Sequence, residues 1–340
     1  MSQHITDLLD ARLPMRFYDP ELWDFMIRQM GRNLECLSTD ALIARLHAIE
    51  KNIQYLHDSA IIRHHVREDR GWTSFVWWLR ARHWTLAELK QRSISPDPSP
   101  MIVKKRPLNQ RLIDITVSNL GILARAGKAR FLSKFLHGEL RFTPATAYDD
   151  KSLGAARADD EMVKSRIRSA KALTIKTPGG HKIEAIGGVR FSSSRKVEVG
   201  GSLVDRPYLF CSFSNEIDPR LIDEFPESDA ILVILNVDEF MARSISHLDA
   251  VMPGPKKGLV PNEYYDPYYI FRHGLSAIRS KELDYAYQRE VRFVIDPGHD
   301  VFRATDIVTT NATSFVDIAA LYDQSGTIID GAGPKQLFDT

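Results

Sequence analysis

Cysteine is rare in this chain, and the two cysteines among 340 residues, Cys36 and Cys211, lie far apart in the sequence. We therefore expect neither a disulfide framework nor a cysteine-based zinc site. The histidines, His64 and His65 among them, lack the spacing of metal ligands, and we expect no metal. These absences favour a reducing, cytoplasmic location.

Long apolar runs are also missing, since no stretch of 18 apolar residues occurs. The first residues, MSQHITDLLD, carry acids where a secretory signal has basic and then apolar residues. The formal net charge is +1, so the overall field of the protein does not require a nucleic-acid or membrane partner, although a local patch would suffice. We expect a cytoplasmic protein without a membrane partner.

The first part of the chain has the pattern of helices. Hydrophobic residues make up 44% of the sequence and charged residues 26%, which is enough for two folded domains. Apolar residues such as Leu42, Leu46 and Ile49 recur at intervals of three and four, which predicts helices. All five tryptophans lie here, and we interpret them as core residues, with a ligand-stacking platform as the alternative. We predict a helical domain over residues 1–95 and a proline-rich linker over 96–110.

The rest of the chain, residues 111–340, alternates between short strands and helices. A helix ARFLSKFLHG is predicted to end at Gly138, before a strand ELRFTP. The segments ALTIKT, HKIEAI, VRFSSS and KVEV read as strands separated by glycine pairs beginning at Gly179, Gly187 and Gly200, which suit hairpin turns. Stronger strand candidates are PYLFCSFS, AILVILNV and EVRFVI. The predicted fold class is α+β, a helical N-terminal bundle followed by a mixed, mainly antiparallel β domain with flanking helices.

The sharpest local pattern is YAYQREVRF, which begins at Tyr285 and enters a strand. Side chains two apart on a strand share a face, so we expect Gln288, Glu290 and Arg292 to project together. The alternative is a solvated strand face that holds a Glu290–Arg292 ion pair.

Two further patterns precede this one. Ser212 and Ser214, at the end of the strand PYLFCSFS, offer small hydroxyl donors on one face, although serine after a strand also begins turns. Arg125 and Arg130 lie just ahead of the FLSKFLHG helix, where an arginine can hold a pyrophosphate with two hydrogen bonds. Ordinary solvation beside a helix is the alternative for both arginines.

Taken in the order arginine, Ser-x-Ser, Gln-x-Glu, these residues resemble the ADP-ribosyltransferase superfamily of the R-S-E type. The segments GELRFTPATAYDD, PYLFCSFSNEIDPRLIDEF and YAYQREVRF also resemble a poorly characterised bacterial family found among abortive-infection and toxin genes, over about residues 120–295. Phe213 stands where that superfamily usually has threonine. The resemblance implies an ADP-ribosyltransferase-like fold for residues 111–340, NAD as the substrate, and an intracellular toxin or phage-defence effector.

The resemblance also implies roles for the residues. Glu290 would stabilise the oxocarbenium charge that develops on the ribose, and Gln288 would orient the acceptor. Ser212 and Ser214 would brace the ribose, while Arg125 or Arg130 would hold the pyrophosphate. Tyr285 or Tyr287 would stack on nicotinamide, with a half-buried strand tyrosine as the alternative.

The distribution of charged residues predicts which binding partners the protein has. Lys164, Arg166, Arg168 and Lys171 belong to a basic stretch that predicts a nucleic-acid surface, with a solvated face as the alternative. The acceptor is thus expected to be a nucleic acid or a protein, and the helical domain is expected to meet an antitoxin or regulatory protein. The acidic run Asp159, Asp160 and Glu161 reads as a loop or helix start and not as a metal site.

Two rival functions remain at this point. The first is a non-enzymatic defence module that binds nucleic acid or protein and retains the fold. The second is a nuclease, which is disfavoured because no D/E-x-K motif or histidine pair stands out.

Overall fold

A computed structural model describes residues 19–30, 32–58, 75–96, 109–118, 121–149, 160–199, 201–268, 275–297 and 306–332 of the chain. These residues form a mixed α+β fold built on an antiparallel sheet. In the described ranges, no helix combines the length and the apolar character needed to cross a membrane.

The helices occur both before the sheet and between its strands. In chain order they are α1 (Pro20–Met30), α2 (Thr39–Asp58), α3 (Phe75–Gln91), α4 (Gln110–Ser118), α5 (Ala129–Leu136), α6 (Pro219–Glu224) and α7 (Val237–Val251). Short 3-10 helices span Asn33–Cys36, Ala145–Tyr148, Ala170–Ala172 and Leu283–Gln288. The helix expected before Gly138 is confirmed as α5, and Gly138 follows it with φ +106°, a conformation that favours glycine.

The strands of the described residues are short and, apart from one pair, antiparallel. In chain order they are β1 (Leu123–Gly127), β2 (Glu139–Pro144), β3 (Val163–Ser169), β4 (Ile175–Lys176), β5 (Lys182–Ile183), β6 (Gly188–Ser194), β7 (Lys196–Val199), β8 (Ser202–Asp205), β9 (Leu209–Ser214), β10 (Ala230–Ile234), β11 (Lys256–Pro261), β12 (Glu263–Tyr265), β13 (Ser280–Glu282), β14 (Glu290–Asp296), β15 (Val308–Asn311), β16 (Ala319–Asp323) and β17 (Ile328–Gly331). The main sheet has the order β11-β14-β9-β1-β10-β16-β17, and β2 pairs with both β9 and β15. β12 and β13 pair in parallel outside this sheet.

The first helices share one hydrophobic core. α2 and α1 both pack on α3, and the apolar positions that predicted helices, Leu42, Leu46 and Ile49, are buried. Four of the five tryptophans belong to this core, which confirms the interpretation of Trp23, Trp77, Trp78 and Trp84 as core residues. Trp72 lies outside the described residues.

This core continues into the later part of the chain. Tyr264, Leu283 and Ala286 belong to the same hydrophobic cluster as the tryptophans. Arg45 on α2 also donates to both carboxylate oxygens of Asp266, at 3.2 and 2.6 Å. The helices are therefore fixed directly to the segments that flank the Gln-x-Glu pattern. Most of the predicted linker, residues 97–108, lies outside the described residues.

The centre of the main sheet is covered on both faces. Along β10, Leu232 and Ile234 join the cluster that contains α5 and α7, whereas Ile231 and Val233 join the cluster that contains α4 and α6. All residues of β10 are buried, as expected for the apolar run AILVI when helices lie on both sides of a strand.

The sheet divides between β1 and β9. β9 pairs with β14 from Leu209 to Ser214, and β1 pairs with β10 along its whole length. Between these two described strands, β1 and β9, the register contains a single pair, Ala124 opposite Ser214. The two halves of the sheet therefore diverge at this point, which leaves room for a cleft.

A set of short hairpins lies between β2 and β9 in the order of the chain. β4 pairs with β5 across the turn at Gly179, and β7 pairs with β8, as the glycine pairs predicted. The hairpin predicted at Gly187 is wrong, because β6 pairs with β3 and the β4–β5 hairpin is inserted between them.

Candidate active site

A cleft of about 910 Å³, a volume that includes its part open to solvent, lies where β1 and β9 diverge. Five residues selected from the sequence line it together: Arg125, Ser212, Ser214, Gln288 and Glu290. Residues that the sequence patterns did not select, among them Tyr148, Glu161 and Lys281, complete its polar wall.

The register of β14 against β9 places Glu290 beside the Ser-x-Ser pair. Glu290 is opposite Ser214 and Arg292 is opposite Ser212, so these side chains share one face of the sheet. The Ser212 hydroxyl donates to Glu290 Oε1 at 2.5 Å. Ser214 Oγ instead accepts from the backbone N–H of Glu216 at 3.2 Å, which shapes the turn after β9. The predicted sharing of one face by Ser212 and Ser214 is confirmed, and Glu290 lies on that same face.

Gln288 reaches the cleft by a different route from the one predicted. It ends the 3-10 helix Leu283–Gln288, and β14 begins only at Glu290. Between them Arg289 adopts φ 46° and ψ 41°, a left-handed conformation that is costly for a residue with a side chain. This turn, and not strand alternation, brings Gln288 and Glu290 to the same cleft.

The Glu290 carboxylate is surrounded by donors. Its Oε2 accepts from Lys281 Nζ at 2.7 Å and from Asn262 Nδ2 at 2.9 Å, and its Oε1 accepts from Arg292 Nε at 3.0 Å. Burial acts to raise the pKa of Glu290, but the charges of Arg292 and Lys281 outweigh burial and hold this pKa well below its ordinary value. Glu290 is therefore ionised at neutral pH and held in one orientation.

A second carboxylate, that of Glu161, supports this arrangement and also lines the cleft. Both oxygens of Glu161 accept from Arg292 Nη2 at 2.7 Å, and Lys164 Nζ lies 3.2 Å from Glu161 Oε2. Arg292 is fully buried, so the carboxylates of Glu161 and Glu290 are its essential counter-charges.

The acidic run Asp159, Asp160 and Glu161 was interpreted from the sequence as a loop or helix start. Glu161 occupies a bend before β3, and Asp159 lies outside the described residues. Within the described ranges, no group of His, Cys, Asp and Glu side chains is arranged to hold a metal.

The two candidate arginines lie in different places. Arg125 is on β1, lines the cleft and donates from Nη1 to the buried Cys211 Sγ. Its guanidinium carbon lies 5.9 Å from the centre of the Phe213 ring, the residue that stands where threonine was expected. Arg130 is exposed on α5, outside the described residues that line the cleft. Of the two candidates, Arg125 is therefore the one that lies on β1.

Neither of the two predicted stacking tyrosines, Tyr285 and Tyr287, is among the described residues that line the cleft. Arg220 covers the Tyr287 ring, with its guanidinium carbon 3.8 Å from the ring centre. Lys281 Nζ lies 4.9 Å from the centre of the Tyr285 ring, which packs against the core of the first helices. Tyr148 lines the cleft instead, with one face stacked on Phe210 at 4.9 Å between ring centres.

The predicted nucleic-acid residues do not form one exposed surface. Lys164 is 1% exposed and ion-paired, so the prediction of a phosphate contact for Lys164 is wrong. Arg168 is also buried. Lys171 is exposed but contacts Glu35 Oε2 at 3.1 Å, and Arg166 is half-buried.

Asp218, the residue before α6, is a buried acid whose negative charge is disfavoured by its surroundings. It is buried and accepts the backbone N–H of Arg220 at 2.8 Å as the N-cap of α6. Burial raises its pKa to about 6, although Arg289 and Arg220 act in the opposite direction. An acid whose pKa is raised by folding destabilises the protein above that pKa, and the cost disappears as the pH falls towards the ordinary aspartate value.

We therefore expect Asp218→Asn to stabilise the protein at neutral pH. Asparagine retains the N-cap oxygen, so the gain should be on the order of 1–3 kcal/mol at pH 7.5 and should vanish near pH 4. Urea unfolding of both proteins at several pH values measures it. A difference in unfolding free energy that does not change with pH would contradict the prediction.

No protein-family model, curated protein or solved structure matches this chain in the comparisons with known proteins.

Proposed function

We propose that this protein is an NAD-dependent mono-ADP-ribosyltransferase, acting as an intracellular toxin or phage-defence effector. The observation that carries the proposal is the cleft that Arg125, Ser212, Ser214, Gln288 and Glu290 line together. These residues come from β1, β9, the 3-10 helix Leu283–Gln288 and the start of β14, so their meeting depends on the fold and not on local sequence.

The reaction cleaves the bond between nicotinamide and ribose and transfers ADP-ribose to an acceptor. The bonding electrons leave with nicotinamide, positive charge develops on the ribose ring, and an acceptor atom then bonds to the sugar and loses a proton. A carboxylate held near the ring stabilises this charge. Glu290 suits that role because its pKa is held low, and Ser212 orients it.

The remaining polar groups of the cleft suit the rest of NAD. Arg125 offers a guanidinium for the pyrophosphate, and Ser212 and Ser214 offer hydroxyls near the ribose. Tyr148 is the aromatic side chain that we assign to stacking on nicotinamide, because it lines the cleft while Arg220 covers Tyr287.

We propose that the acceptor, a nucleic acid or a protein, contacts the hairpins that lie between β2 and β9 in the chain. Four cations of the basic stretch are exposed there, namely Lys176, Lys182, Arg190 and Lys196. They replace the buried Lys164 and Arg168 as the surface for a phosphate backbone. An antitoxin or regulatory protein would act through the helices α1–α3.

The proposal is tested by incubating the protein with NAD that is labelled in its ADP-ribose part. Nucleic-acid and protein pools are supplied as acceptors in separate reactions. We expect label to become attached to one pool.

Gln288→Ala should lower the ratio of transfer to NAD hydrolysis by on the order of 10- to 100-fold, because it disturbs the acceptor and not the sugar.

Gln324→Ala is the matched control for this variant. Gln324 donates to the carbonyl of Ser228 at 2.6 Å, outside the set of residues that line the cleft. Its ratio of transfer to hydrolysis should equal that of the wild type. An unchanged ratio in Gln288→Ala would contradict the role of Gln288.

A non-enzymatic binding module is the second candidate, and one observation favours it. The Glu290 carboxylate already accepts from Ser212, Asn262, Lys281 and Arg292, an arrangement that a purely structural ion pair would also have. In that case the exposed hairpin cations would bind nucleic acid while NAD stayed intact.

A further inference from the structure

Helix α2 is connected to Gln288 by an unbroken series of side-chain contacts. The Arg220 guanidinium donates from Nη1 to Asn52 Oδ1 on α2. The same guanidinium covers the Tyr287 ring at 3.8 Å, and the Tyr287 hydroxyl accepts from Gln288 Nε2 at 3.2 Å. The series runs from Asn52 through Arg220 and Tyr287 to Gln288, and we refer to it as the Asn52–Gln288 series.

Every member of this series is shielded from water. Asn52 is 3% exposed, Arg220 6%, Tyr287 8% and Gln288 7%. Polar contacts in such an environment are strong and orient their partners, because water does not compete for the same groups. A guanidinium on an aromatic face also fixes the plane of the ring.

A second contact fixes the same part of α6 to α2. Lys51, the neighbour of Asn52, bonds to Glu224 Oε1 at 2.5 Å, and Glu224 in turn accepts from Arg220 Nε at 3.1 Å. α6 also supplies Leu221, which lines the cleft. Arg220 is therefore held between α2 on one side and the end of the 3-10 helix Leu283–Gln288 on the other.

We propose that Asn52 and Arg220 are positioning residues that set the orientation of Gln288, so that the N-terminal helices control how efficiently ADP-ribose reaches the acceptor. This inference rests on the proposed transferase function. Glu290 is held by a separate set of groups, Ser212, Asn262, Lys281 and Arg292. Disturbing the Asn52–Gln288 series should therefore impair transfer while NAD cleavage continues.

Two substitutions of Asn52 in the full chain test the inference. Asn52→Leu is close in size but removes the oxygen that Arg220 bonds, and Asn52→Asp keeps that oxygen. We expect Asn52→Leu to lower the ratio of transfer to hydrolysis by about tenfold or more, towards the Gln288→Ala value, with nicotinamide release within about twofold of wild type. Asn52→Asp should retain the wild-type ratio.

Arg220→Lys is the second test, because lysine cannot both bond Asn52 and lie flat on Tyr287. It should behave as Asn52→Leu does. Arg243→Lys is its control, since Arg243 pairs with Glu239 and Asp317 on α7 and after β15, outside the cleft lining. This control should keep the wild-type ratio.

The possible failures are distinguishable. Normal nicotinamide release with an unchanged ratio in Asn52→Leu and Arg220→Lys would overturn the inference alone. An equal loss of cleavage and transfer would overturn it too, since that result indicates a general structural role. If the wild type releases no nicotinamide, the proposed function fails and the inference fails with it.

Discussion

Glu290→Gln is expected to release nicotinamide from NAD on the order of 100- to 1000-fold more slowly than the wild type. Glutamine keeps the shape of the side chain and an acceptor oxygen for Ser212, but it removes the negative charge that stabilises the developing oxocarbenium ion. The measurement is the rate of nicotinamide release at saturating NAD, at a temperature well below the melting transition of the variant.

A stability cost accompanies this change and has to be separated from it. Glu290 is a counter-charge of the buried Lys281 and Arg292, so its neutralisation should lower the free energy of unfolding by about 1–3 kcal/mol. Glu161→Gln is the matched variant, because Glu161 carries the same charge in the same cluster and bonds the same Arg292. It should be destabilised to a similar extent but lose much less activity. Equal loss of activity in both variants would assign the effect to the charge cluster or the fold and not to Glu290.

Arg292→Ala is expected to lower the free energy of unfolding by about 3–5 kcal/mol, a large fraction of the roughly 5–15 kcal/mol that holds an ordinary domain together. Arg292 is 0% exposed and bonds Glu161, Glu290 and the hydroxyl of Tyr208. Its removal leaves two buried carboxylates with less counter-charge. Urea unfolding at pH 7.5 measures the change.

Arg243→Ala serves as the control for the loss of an arginine. Arg243 pairs with Glu239 and Asp317 at a site where those carboxylates are about half exposed, so its loss should cost less than about 1 kcal/mol. Similar losses in Arg292→Ala and Arg243→Ala would contradict the role of the buried cluster.

Local sequence predicts the parts of the site that depend on strand periodicity. Ser212 and Ser214 share one face of β9, and Glu290 and Arg292 share one face of β14, because side chains alternate along each strand. The apolar run AILVILNV likewise predicted the strand β10. These features need only a few consecutive residues to be specified.

The remaining features depend on contacts between distant segments. Nothing near Glu161 or Lys281 in the sequence shows that both meet Glu290 or its partner Arg292, since they come from a bend before β3 and from β13. No glycine marks the left-handed turn at Arg289 in the sequence. The alternation of side chains along β14 was therefore applied to Gln288 as well, although Gln288 belongs to the preceding 3-10 helix. Lys164 was assigned to the surface from its charge, but its buried partner Glu161 decides its position.

A single-turnover incubation of the full chain with NAD labelled in its nicotinamide ring tests most directly whether the cleft cleaves NAD. With protein in molar excess, we predict that the wild type releases labelled nicotinamide from the whole NAD pool and that Glu290→Gln leaves it intact on the same time scale. NAD that stays intact with folded wild-type protein, in the presence of nucleic-acid and protein pools, would contradict the transferase assignment. Glu290 would then serve only as a buried partner of Arg292 in a binding module.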